Sequence, residues 1–234
     1  CLPRFCVSLL VQAQRLKSLV VMSLPSSDSM PDDARPRDAH LREVKISSET
    51  LLQGHFLHAV RDHVRLPDGH TATREYVIHP GAVVIIALVD APDGSVRVVL
   101  ERQFRYPVQQ VVIEFPAGKI DPGEDRWACA RRELREETGY LAREWAYAGV
   151  MHPVISYSTE FIEIWFARGL TLGERQLDEG EFLDVFTATP DELMQWCRTG
   201  QLTDAKTITC MLWLNSVLSG AWPLTWQTAP DLAA

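Results

Sequence analysis

Glu133, Glu136 and Glu137 stand within five residues of one another in the run Arg132-Glu133-Leu134-Arg135-Glu136-Glu137. On a helix, Glu133 and Glu137 share one face because they are four apart, and Glu136 lies at the edge of that face. Like charges at this spacing repel by a few tenths of a kcal/mol per pair, so the stripe calls for something cationic between its members. A hard divalent ion held by carboxylate oxygens is the simplest answer. Arg131, Arg132 and Arg135 offer the ordinary alternative, a solvated face neutralised by arginine. The flanking residues decide between the two.

Gly118, Glu124, Arg132, Glu133, Leu134, Glu136, Glu137, Gly139 and Tyr140 follow one spacing. It is glycine, five residues, glutamate, seven residues, then Arg-Glu-apolar-X-Glu-Glu-X-Gly-apolar. The segment resembles the Nudix box. Seven of these positions demand a single residue type; at roughly one residue in fifteen for each, chance supplies about one match in 10⁸ start positions. Tyr140 departs slightly from the usual aliphatic residue and still fills an apolar slot. The resemblance implies that Glu133, Glu136, Glu137 and the Ala117 carbonyl hold metal, with Glu136 also close to the chemistry. It also implies that Arg132 braces one of the glutamates, while Gly118, Glu124 and Gly139 shape the box. Oxygen donors of this kind suit Mg²⁺, with Mn²⁺ able to substitute.

The local chemistry agrees. Asp121-Pro122-Gly123-Glu124 is turn-forming. Glu124 and Asp125 put negative charge at a helix N-terminus, and Gly139 stands where a C-cap glycine belongs. Trp127, Ala128, Ala130, Arg131 and Leu134 provide the packing face. The box therefore reads as loop, helix, loop, with its acids turned away from the core. Strands are expected at 41–47, 51–65, 71–79, 82–89, 96–101, 111–115, 145–151, 161–169 and 182–187. The run Ala82 to Val89 is apolar throughout, as in a buried central strand. Helices are expected at 190–199, opened by Thr189 with Glu192 three positions on, and at 204–219. The pattern predicts an α/β fold, an α/β/α sandwich with a mixed β-sheet, to which the family resemblance adds a small N-terminal antiparallel β-subdomain. The expected organisation is an extension at 1–41, the β-subdomain at 42–79, the main domain at 80–220 and a tail at 221–234.

Outside the box, Leu100-Glu101-Arg102-Gln103-Phe104-Arg105-Tyr106-Pro107 and Glu114-Phe115-Pro116-Ala117-Gly118 resemble the ADP-ribose pyrophosphatase branch of the Nudix hydrolase superfamily. That likeness implies substrate contacts by Arg105 and Arg102. It also implies a homodimer in which the N-terminal strands, carrying Arg74 and Glu75, complete the partner's site. The acidic loop Asp178-Glu179-Gly180-Glu181 is similar to the one that supplies a catalytic base and a further metal ligand; Glu179 is assigned as base and Glu181 as ligand, an order open to reversal. Where the branch shows Ser-Pro-Gly before an acid, this chain has the longer, glycine-free 152–159 stretch ahead of Glu160. Glu160 still matches the acid, next to a nucleotide-binding loop of another shape. The activity implied is hydrolysis of a nucleoside diphosphate sugar, ADP-ribose above all. The alternatives are another sugar nucleotide, a dinucleotide, or a binding module without turnover.

Composition narrows the setting. At 234 residues the chain can bury one full core. A net charge of −8 argues against a nucleic-acid partner. Five cysteines without CxxC spacing suggest neither a disulfide framework nor a zinc site, and a reducing cytoplasm is the expected compartment. The first 30 residues hold too short and too interrupted an apolar run for a membrane span. Met22 or Met30 is read as the true start, residues 23–39 as disordered, and removal of residues 1–29 is expected to leave activity intact.

Overall fold

The computed structural model describes residues 36–230. The expectations for the start of the chain therefore lie outside the described residues, except that Pro36–Leu41, part of which was read as disordered, forms a short 3-10 helix. That helix belongs to a unit ending at Glu43; a second unit begins at Val44.

Within the second unit, β1 (Val44–Gln53), β2 (His58–Arg65) and β3 (Thr71–Ile78) make an antiparallel three-stranded sheet. The expected break near residue 48 falls instead at residues 54–57, where the Gly54 amide donates to the Leu57 carbonyl at 2.8 Å. Gly54 alone marks this turn in the sequence, with no proline or asparagine beside it, and Leu51, Leu52, Phe56 and Leu57 carry the apolar pattern into and through it. Every residue of β1 is exposed.

Strand β4 (Ala82–Asp90) is the axis of an eight-stranded mixed sheet that also contains β5 (Val96–Arg105), β6 (Gln110–Glu114) and β7 (Ala117–Lys119). Its remaining strands are β8 (Tyr140–Met151), β9 (Ile162–Leu172), β10 (Leu183–Ala188) and β11 (Gln227–Thr228). The backbone path is β10-β5-β4-β9-β8-β11, with β6 paired to β5 and β7 to β4. Only β4 and β9 run parallel among these pairs. Strand β8 starts directly after the box rather than at residue 145, and β11, within the segment read as a tail, pairs with it.

The continuous apolar run of β4 is explained by helices on both faces. Val84 and Ile86 face α2 (Pro190–Thr199) and α3 (Ala205–Leu218), packing with Leu193, Cys210 and Leu214. Val83, Ile85 and Ala87 face α1 (Arg126–Thr138), packing with Cys129, Ala130 and Leu134. Strand alternation thus feeds two cores from one strand. Truncating Ile85 or Ile86, both fully buried, to alanine costs about 2–5 kcal/mol.

The helix ends follow the local chemistry. Asp125 caps α1 by accepting from the Ala128 amide at 3.0 Å, and Gly139 closes it with φ 76°, its N–H donating to the Arg135 carbonyl. Thr189 and Glu192 form the expected capping box on α2. Asp204, read as the first residue of α3, is its N-cap.

Candidate active site

Strand β4 changes partners along its length. Ala82–Val84 pair with β7, Leu88–Asp90 pair with β5, and between them the Ile85 amide reaches only the Pro116 carbonyl. A cavity of about 420 Å³ opens beside this fork, lined by Arg105 from β5, Ala117 to Lys119 of β7, and Glu133, Glu136 and Glu137 of α1.

Arg132 organises the acids of α1. Its Nε and Nη2 donate to the two Glu124 oxygens at 2.8 and 2.9 Å, and its Nη1 donates to Glu133 at 2.8 Å and Glu136 at 2.9 Å. The hydrogen bonds from Arg132 pull the Glu124 carboxyl down to about 2. Glu133 goes the other way: burial pushes it up to about 7, against the opposing Arg132 charge. Glu137 is held well above the ordinary carboxylate range by burial and by the neighbouring Glu101 and Glu133 charges. Its Oε2 accepts from the Ala117 amide at 3.0 Å. The sequence placed these acids away from the core, yet Glu137 is only 4% exposed. The stripe faces β7 and the cavity floor instead of bulk water. Gly118 permits that approach, because a Cβ there would overlap the Glu133 carboxylate.

The opposite wall is an ion network that sequence reading missed beyond Arg105. Arg105 grips Glu114 through Nε at 2.6 Å and Nη2 at 3.0 Å, and the Lys206 ammonium donates to Glu114 at 2.9 Å. Lys206 also pairs with Asp204 at 3.1 Å. Burial would depress the lysine, but Glu114 and Asp204 together hold its pKa above the ordinary value. Beside this network lies Glu101, fully buried, with neither carboxylate oxygen hydrogen-bonded. Burial pushes it up to about 8. Its signal in the sequence was a lone acid closing the apolar run Val98-Val99-Leu100.

The other candidate residues divide. Glu160 and Glu181 line the cavity together with Asp178, and Glu179 does not. Arg102 pairs with Asp184 at 2.8 Å and lines a separate cavity with Phe186 and Trp196. Arg74 and Glu75 lie on β3, outside the cavity lining; Glu75 binds Arg61. The 152–160 segment is stitched to β3: the Val77 amide donates to the Tyr157 carbonyl at 2.9 Å and the Thr159 amide to the Val77 carbonyl at 3.0 Å.

Among the described residues no three acidic, histidine or cysteine side chains already converge in a metal-ligand arrangement; Glu133 and Glu136 are turned to Arg132 instead. The donors are nevertheless all hard oxygens, the Gly118 cradle keeps Glu133 at the cavity, and burial makes the unneutralised charge on Glu133 and Glu137 costly. These features fit a hard divalent ion.

A mixed sheet between helices, with this acidic helix set against a strand fork, defines a Nudix fold. The chain belongs to the Nudix family: the NUDIX domain model matches residues 79–209, and the nucleoside diphosphate sugar hydrolase N-terminal domain model matches residues 43–77. It is 33% identical over 177 residues to the ADP-ribose pyrophosphatase of Bacillus subtilis (strain 168), covering 75% of this chain and 94% of that relative. It is 36% identical over 177 residues to the methanol dehydrogenase activator of Bacillus methanolicus, covering 74% and 92%. The crystal structure of an ADP compounds hydrolase superposes with a TM-score of 0.69 at 22% identity, covering 77% of this chain and 97% of that one, which shows the shared fold. Family and relatives together make the protein a pyrophosphate-acting hydrolase of the ADP-ribose pyrophosphatase type.

Proposed function

We propose that the protein hydrolyses the pyrophosphate bond of a nucleoside diphosphate sugar, with ADP-ribose giving AMP and ribose 5-phosphate. The observation that supports this best is one cavity with carboxylates on its α1 side and the Arg105–Glu114–Lys206 network on the other. Such a site matches a ligand with an anionic centre and a polar sugar.

Glu133, Glu136, Glu137 and the Ala117 carbonyl would hold Mg²⁺, or Mn²⁺ in its place. When bound, the metal would neutralise phosphate charge and lower the pKa of a coordinated water. Arg132 keeps Glu133 and Glu136 in register along the stripe. Arg105, fixed in a two-bond grip by Glu114, presents its remaining N–H groups to a phosphate or ribose oxygen. In the acidic loop, Glu181 has the better position to take the proton from the attacking water. That choice reverses the order first assigned to Glu179 and Glu181. The water oxygen bonds to one phosphorus, the bridging P–O bond breaks, and the second phosphate leaves with the electron pair.

The glycine-free 152–160 loop favours a second reading, in which another sugar nucleotide replaces ADP-ribose. A homodimer built through β1 is supported by the exposure of Val44, Ile46 and Leu52 on that strand. Cys129, Cys197 and Cys210 are free thiols, in keeping with a cytoplasmic setting. No described helix is long and apolar enough to cross a membrane. A panel of nucleoside diphosphate sugars and dinucleotides, with Mg²⁺ and phosphatase-coupled phosphate release, tests the assignment. Fastest turnover of ADP-ribose is expected. A faster sugar nucleotide would replace the substrate, and no turnover of any member would overturn the reaction.

A further inference from the structure

The Glu101 carboxylate is out of place for a structural acid. Strand β5 carries it on the same rung as Glu114 of β6, so two carboxylates stand side by side, an arrangement that is destabilising unless neutralised. Glu114 receives three donors, two from Arg105 and one from Lys206. Glu101 receives none at either oxygen, although it has no solvent exposure. Both nearby cations are spent on Glu114 and Asp204. Native proteins rarely leave a buried acid without a partner, so Glu101 awaits one that this chain does not provide.

Its neighbours indicate what that partner is. Strand alternation puts Glu101 on the same face of β5 as Gln103 and Arg105, both of which line the cavity, and its rung partner Glu114 is bound by the cavity-lining Arg105 and Lys206. The acid of β5 thus stands directly behind the wall from which Arg105 and Lys206 face the acids of α1. We propose that Glu101 is a further carboxylate of the divalent-cation site, holding the ion or its water shell from the β5 side. The inference rests on the metal-dependent reading above and adds to it a residue outside the box. A metal site fed from strand as well as helix would be anchored in the buried core of the sheet, next to the fully buried Val98, Val99 and Leu100.

The test uses Mn²⁺ alone as probe, with affinity measured by electron paramagnetic resonance and calorimetry on the full chain, without substrate. Glu101→Gln should weaken Mn²⁺ binding at least tenfold and leave melting in EDTA unchanged or higher, since a costly buried acid has gone. A purely structural Glu101 would give the reverse, lower melting with unchanged Mn²⁺ affinity, and that result overturns the inference. Should the glutamine variant fold poorly, Glu101→Leu fills similar space, and Mn²⁺ affinity within twofold of wild type there overturns it equally. Glu137→Gln separates the two readings. If that variant loses Mn²⁺ while Glu101→Gln keeps it, only the present inference fails; if the wild type binds no Mn²⁺, both fail.

Discussion

Gly118 and Glu133 are in direct apposition: the glutamate carboxylate occupies the space that any side chain at 118 would need. A box glycine thereby sets how deeply the acidic stripe reaches into the cavity. Its role is clearance, since Gly118 is absent from the left-handed backbone positions of this chain.

Gly118→Ala should therefore displace Glu133 without straining the backbone. We expect kcat to fall at least a hundredfold while circular dichroism and melting stay near wild type. A variant within threefold of wild-type turnover would show that Glu133 need not lie against β7.

Arg105 and Arg102, three apart on β5, should behave differently. Arg105 lines the cavity, and one charge-assisted hydrogen bond to substrate is worth about 1.5–3 kcal/mol, so Arg105→Ala should raise KM about tenfold or more. Arg102 lies outside the lining, paired with Asp184, and Arg102→Ala should change kcat and KM less than twofold. Steady-state kinetics of both variants on ADP-ribose decides the point.

The acidic loop offers a similar contrast. Glu181 faces the cavity and Glu179 does not, so Glu181→Gln should cost at least a hundredfold in kcat and Glu179→Gln only a fewfold. The opposite ranking would return the base role to Glu179.

Stability without metal should depend on pH in an unusual direction. The folded protein holds Glu133 at about 7 and Glu101 at about 8, above the ordinary value of 4.5. Below that ordinary value both folded and unfolded chains are protonated, and no penalty arises. Between it and the raised values the unfolded chain has lost protons that the folded one keeps. Stability then falls as pH rises, with a slope of about 1.4 kcal/mol per pH unit per group. Melting in EDTA should drop from pH 5 to pH 8, and excess Mg²⁺ should flatten the profile. A melting point in EDTA that climbs over that range would contradict the buried, unneutralised acids.

The box was legible because its spacing carries its own geometry: a turn, a capped helix and a glycine stop. The Ala82–Val89 run was legible as a central strand because both faces are buried. The depth of Glu137 was not, since helical periodicity gives a face and not what covers that face. Lys206 escaped notice because an isolated lysine in the first turn of a helix looks solvated. Only the fold brings it to Glu114, ninety-two positions away in sequence. The turn at residues 54–57 carries a single turn residue, Gly54, followed by the bulky His55, Phe56 and Leu57, so it read as part of a strand.

The stitching of the 152–160 segment onto Val77 has a mechanical corollary. Glu160 sits at the end of a stretch whose backbone is tied to Val77 on β3, the last strand of the amino-terminal sheet. A tug on that carboxylate by a bound sugar would be transmitted straight into β3. Occupancy of the cavity and tremor in the amino-terminal sheet should therefore rise and fall in step, and amide exchange at Val77 would act as a distant gauge of whether the cleft is filled.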